Sequence, residues 1–182
     1  PDFIRVGRGG DEGKPVEVPK RLQVMRTGSF KHPKYGPFSI TKETLEKIVQ
    51  NHEERARGID IAIDFGHDTE GEAAAWIQKL VVEPLKKGFG LFALSDWTPT
   101  GEERVRNKAY KYLSADFSLT YADAETQKKF GPTLLGAGLT NRPFIKGMDP
   151  VIQLSENENE GETMNEEQKK ELADAKALAE KL

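Results

Sequence analysis

The chain has 182 residues, 36% hydrophobic and 31% charged, enough for one domain with a core and some solvated extension. It has no cysteine, which excludes disulfides and thiol catalysis, and its net charge of −3 carries no nucleic-acid footprint. No apolar run approaches the roughly 18 residues of a spanning helix, and no signal-peptide pattern opens the chain.

Pro1 rather than methionine stands first, so a fragment or a processed form is expected. Residues 1–21 are rich in glycine, proline and charge and predict a flexible lead-in. A strand is expected at Leu22–Arg26, followed by a loop from Thr27 to Pro37. Thr41 is an N-cap for a helix through about Arg57, closed by Gly58. Leu45, Ile48, Val49 and His52 fall at i, i+3, i+4 and i+7 and define its apolar face.

In the segment 59–65, Ile59, Ile61, Ile63 and Phe65 alternate with Asp60, Ala62 and Asp64, the period of a strand with one buried face. AAAWIQKLVV and GLFALSDW predict two more strands joined across a Lys-Lys-Gly turn. Thr98 then caps a helix to about Lys111, with Pro99 at its first position and Glu102 and Glu103 in its first turn. YLSADFSLTY and LLGAGLTN are further strands around a polar loop near Asp123–Phe130. The body, residues 22–154, is therefore a strand-rich α+β domain, suited to a closed or partly closed sheet rather than to βαβ winding.

Residues 155–182 have another character. They hold nine acidic and four basic side chains, a net of −5, which leaves +2 for the rest. ENENEGE predicts an acidic linker, Thr163 with Glu166 a capping box, and Leu172, Ala175, Ala179 and Leu182 the seam of a short amphipathic helix. That seam would continue in a partner or a longer chain, or the segment is simply a solubilising end.

Three histidines are present. His32 lies beside Pro33 in a loop, and His52 lies on an apolar helix face, where a packing role is the simpler one. His67 directly follows a buried strand in DFGHD, beside carboxylates, a setting that suits a general base with an orienting partner. Asp64, His67, Asp68 and Glu70 include metal-ligand types, yet on a strand a spacing of three puts Asp64 and His67 on opposite faces. No second histidine is near, so no metal is expected.

Ser29, Ser39, Ser95, Ser114, Ser118 and Ser155 are the candidate serines weighed. Ser114 is distinguished by its place early in a strand, between Tyr112-Leu113 and Ala115-Asp116-Phe117, which would hold a weak nucleophile rigidly. GRGG lacks the strand-to-helix context of a phosphate loop, and no basic patch is interleaved with aromatics.

The succession QVMRTGSF, FSITKETLEKIVQNH, IAIDFGHDTEGEAAAWIQKL, GLFALSDWTPTGEERV, YKYLSADF and LLGAGLTNRPFI, from about Leu22 to Ile145, resembles the I proteins of Mu-like phages, the prohead maturation proteases. The resemblance implies a small, closed or partly closed β-barrel flanked by helices, similar to the herpesvirus-type assemblin serine proteases. It implies Ser114 as nucleophile and His67 as general base, with no cofactor and no metal. The third member is open: tailed-phage proteases of this kind have an acidic residue where Gly136 stands here, which leaves Thr140, Asp64, Asp116 or a dyad. The resemblance also implies phage scaffold and major capsid proteins as partners, self-association, and neither nucleic acid nor membrane. Its place would be the host bacterial cytoplasm, inside the assembling prohead, with residues 155–182 as the start of a scaffold segment. The alternatives are a non-catalytic assembly module of the same fold and a metal-dependent hydrolase around Asp64, His67 and Asp68.

Overall fold

The computed structural model describes residues 16–152. Its elements in chain order are β1 (Arg21–Arg26), β2 (Gly28–His32), β3 (Gly36–Ile40), α1 (Lys42–Glu53), β4 (Ile61–Phe65), β5 (Ala73–Pro84), β6 (Phe89–Trp97), α2 (Pro99–Arg106), β7 (Tyr112–Ala122) and β8 (Lys129–Thr140). Six strands form one sheet in the order β1-β6-β5-β4-β8-β7, and β2 and β3 form a separate hairpin. Every neighbouring pair in the large sheet is antiparallel except β4 and β8. The sheet is strongly curled into a half-barrel, and its edge strands β1 and β7 approach each other. The domain is thus strand-rich α+β around a partly closed barrel.

Burial follows the alternation of the strands. Ile61, Ile63, Leu113, Ala137 and Leu139 are buried in one core with Leu22, Val24, Met25, Leu80 and Leu91. Val24 and Met25 are neighbours in sequence yet both are fully buried, because the register shifts between Gln23 and Met25. Such a bulge lets one extra residue face inward.

Helix α1 drops Leu45 and Ile48 into the core behind a capping box of Thr41 and Thr44. Asn51, not anticipated on its buried face, donates to the Phe130 and Pro132 carbonyls and so ties the helix to β8. Helix α2 begins at Thr98, whose hydroxyl donates to the Ala73 and Ala74 carbonyls and accepts from the Gly101 N–H.

Several expectations are corrected. Residues 27–37 are no loop: β2 pairs with β3 from Gly28↔Ile40 to His32↔Gly36, and Phe30 and Phe38 pack with Phe144. The glycines and prolines that suggested a loop sit at the ends and turn of the hairpin. Both helices end earlier than expected, at Glu53 rather than Arg57 and at Arg106 rather than Lys111. Each is stopped by a residue with positive φ, Arg55 or Lys108, while Ala56 and Ala109 bond back to the Asn51 and Arg104 carbonyls. Strand β4 begins at Ile61, leaving Ile59 exposed.

The end of the expected lead-in is packed: Val18 is buried and the Pro19 carbonyl accepts from Trp97 Nε1. The acidic linker, the capping box and the seam of Leu172, Ala175, Ala179 and Leu182 lie outside the described residues, as does Ser155. Among the described residues no helix is long and apolar enough to cross a membrane.

Candidate active site

Three strands meet in one row. Ser114 on β7 is the direct partner of Gly138 on β8, and Gly138 is in turn the partner of Asp64 on β4. Paired residues on neighbouring strands project to the same side of a sheet. The inward set in these strands is Leu113, Leu139 and Ile63, so Ser114, Gly138 and Asp64 share the outward face.

His67 joins that row by way of a turn. Gly66 and His67 have φ of 65° and 64°, and the Asp68 N–H bonds to the Phe65 carbonyl. Two successive left-handed residues closed by such a bond make a tight reversal of the type that glycine favours. Glycine takes this conformation freely, but histidine is strained there, a feature that clusters at functional sites. The Gly66 N–H bonds to the Leu139 carbonyl, anchoring the turn to β8.

The reversal lays His67 over Gly138. A Cβ at position 138 would stand 3.0 Å from His67 Cγ, 2.8 Å from its amide nitrogen and 3.0 Å from Asp64 Oδ1. The missing side chain of Gly138 is therefore the space in which His67 sits, with Ser114 on one flanking strand and Asp64 on the other. The spacing argument that separated Asp64 from His67 fails because the strand stops at Phe65. The two residues are neighbours.

Asp64 is 8% exposed, and its Oδ1 has no hydrogen-bond partner. Burial pushes its carboxyl above the usual carboxylate range. The His67 ring and amide oppose that rise, whereas the Asp116 and Asp68 charges add to it. His67 itself is exposed and Ser114 is half-buried, and no hydrogen bond joins the two in this state.

The remaining candidates for a third member differ. Thr140 is opposite Tyr112, one pair beyond the Ser114 row, and its hydroxyl accepts from the Arg142 N–H. Asp116 is exposed on the same outward face, opposite Gly136. An aspartate thus stands across from the glycine where an acidic residue was looked for.

Other histidines and serines have local duties. His32 Nδ1 accepts from the Lys34 and Tyr35 amides, and its ring stacks on Tyr35 at 4.7 Å. His52 Nε2 lies 3.5 Å from the Gln78 carbonyl. The Ser29 and Ser39 hydroxyls bond each other, and Ser118 Oγ accepts from the Thr120 N–H. Ser95 is buried on β6 without a partner. Among the described residues no group of three or more His, Cys, Asp or Glu side chains is arranged to hold a metal ion.

Sequence reasoning missed Gly138. The signal was present as two glycines at alternate positions, Gly136 and Gly138, which strip one face of a strand.

Residues 22–152 match the family model Mu-like prophage I protein, N-terminal domain, and so include the whole row and His67. The chain belongs to that family. No curated protein and no solved structure matches the chain. The I-protein domain thereby gathers Ser114, Gly138, Asp64 and His67 on one outward face. Within that domain the turn at Gly66-His67 and the parallel pairing of β4 with β8 do the gathering.

Proposed function

We propose that this I-protein domain is a prohead maturation serine protease. The observation that carries the reading is the seating of His67 over Gly138, between Ser114 on β7 and Asp64 on β4. Acyl transfer by serine needs a base beside the hydroxyl and a group that orients the base. Ser114 is the nucleophile, His67 the general base, and Asp64 the third member. The partly closed barrel with flanking helices supports kinship with the herpesvirus-type proteases.

The chemistry follows from these roles. Ser114 Oγ attacks the scissile carbonyl while His67 takes its proton, and Asp64 stabilises the imidazolium that results. Collapse of the tetrahedral intermediate breaks the C–N bond, with His67 returning the proton to the leaving amine. Water then attacks the acyl-enzyme by the same route and frees Ser114. The Ser114–His67 hydrogen bond forms when substrate docks, since catalytic bonds commonly tighten in the complex. Phage scaffold and major capsid proteins are the substrates, cut inside the assembling prohead in the host cytoplasm. High local concentration there, or self-association, switches the activity on.

The absence of a Ser114–His67 bond in this state is what the rival reading, a non-catalytic assembly module, would use. The test is self-processing and cleavage of scaffold and capsid proteins by wild type and Ser114→Ala, followed by mass spectrometry. Fragments from wild type alone support the protease. Intact proteins with both, at high concentration, favour the assembly module.

A further inference from the structure

Next to the row lies a cleft of about 520 Å³, lined by Asp64, Asp68, Glu72, Asp116 and Trp76, with Gly136 among its walls. A volume of this size is within the usual range for a ligand site. Asp116 is two residues from Ser114 on β7, about 7 Å along the strand. The cleft therefore sits where a peptide attacked by Ser114 would place a side chain near its scissile bond.

The charge of the cleft is one-sided. Asp64, Asp68, Glu72 and Asp116 have no lysine or arginine within ion-pair distance among the described residues. Asp60, also in the lining, is paired with Arg55, and the Arg57 guanidinium is drawn over the Tyr121 ring at 5.6 Å. Like charges held together without a counter-charge are costly, most of all where one is withdrawn from water. Asp64 is that one, nine-tenths buried with Oδ1 unpartnered and lining the cleft. The Trp76 ring, 41% exposed, adds an aromatic face of the kind that attracts an organic cation.

We propose that this cleft is a specificity subsite for a lysine or arginine side chain of the substrate peptide, within three residues of the cleaved bond. The proposal rests on the protease reading for its substrate but not for its cation preference, and the two are tested apart. The first probe is n-butylguanidinium, compared with its neutral isostere n-butylurea, titrated into the full chain and followed by backbone amide shifts. The cation should give saturable shifts at Asp64, Glu72, Trp76 and Asp116, and the urea none. Asp116→Asn combined with Glu72→Gln should weaken the cation by about tenfold, as loss of two charges in a partly enclosed site implies. Trp76→Ala should weaken it too, without changing the fold reported by the same spectra.

Equal responses to the two compounds, or shifts away from the cleft, would overturn the proposal. The second probe is a mixed pool of peptides digested by wild type. Cuts flanked by Lys or Arg support the subsite. Cuts without that enrichment overturn it and leave the protease reading intact. Cation binding in the cleft without any cuts supports the cation preference and sinks the protease reading.

Discussion

The two faces of β7, β8 and β4 obey different rules. On the inward face, Leu113, Leu139, Ala137 and Ile63 are closely packed and at most 1% exposed. On the outward face, the same strands present Ser114, two glycines, a buried aspartate and an exposed one. Apolar burial on the inward side stabilises the sheet, so the outward side is free to hold features that weaken it. Strain at His67, the desolvated charge of Asp64 and the bare backbone at Gly136 and Gly138 all lie there. Stability and chemistry are separated by one residue of strand register.

Substitutions on the two faces should therefore separate as well. Asp64→Asn should show the largest effect, a loss of about 10³-fold in kcat/KM on a peptide substrate, because His67 loses its orienting charge. The same change should raise the melting temperature at neutral pH. Burial raises the Asp64 carboxyl in the folded chain, so the folded state holds that proton more tightly than the unfolded one. The stability this contributes is complete below the ordinary carboxylate range, about pH 4, and is lost as pH rises through the folded value. The advantage of Asn should accordingly shrink on acidification, which melting curves across pH will show.

Leu139→Ala, one residue from Gly138 but facing inward, should cost about 3 kcal/mol of stability in denaturant unfolding. Activity per folded molecule should change little. Gly138→Ala should do the reverse. Its methyl would meet His67 and Asp64 at 3.0 Å or less, so kcat/KM should fall by about 10²-fold while the unfolding midpoint shifts only slightly. Thr140→Val should have the smallest effect, a loss of about 0.5–1 kcal/mol from the bond to the Arg142 amide, with activity retained. A large activity loss there would move the third role from Asp64 to Thr140.

Period-two alternation made β4 through β8 legible, and Thr41 and Thr98 announced their helices through their caps. The β2–β3 hairpin was not legible, because glycine and proline at its ends mask five-residue strands. The row of Ser114, Gly138 and Asp64 was beyond local reading altogether. It depends on the parallel pairing of β4 with β8, seventy-odd residues apart, and on a register that no short window contains. The Asp64–His67 proximity was misjudged for a local reason: alternation was extended through Gly66, where two left-handed residues end it. The family resemblance supplied Ser114 and His67, while the register supplied the reason for Gly138.

The central claim is that His67 activates Ser114. The direct measurement is the mass of the full chain after treatment with a fluorophosphonate, in wild type, Ser114→Ala and His67→Ala, with the adduct located by peptide mapping. The account predicts one adduct on Ser114 in wild type, none in Ser114→Ala, and labelling slowed by orders of magnitude in His67→Ala. An unmodified wild-type chain, or labelling of Ser114 at the same rate without His67, would contradict it.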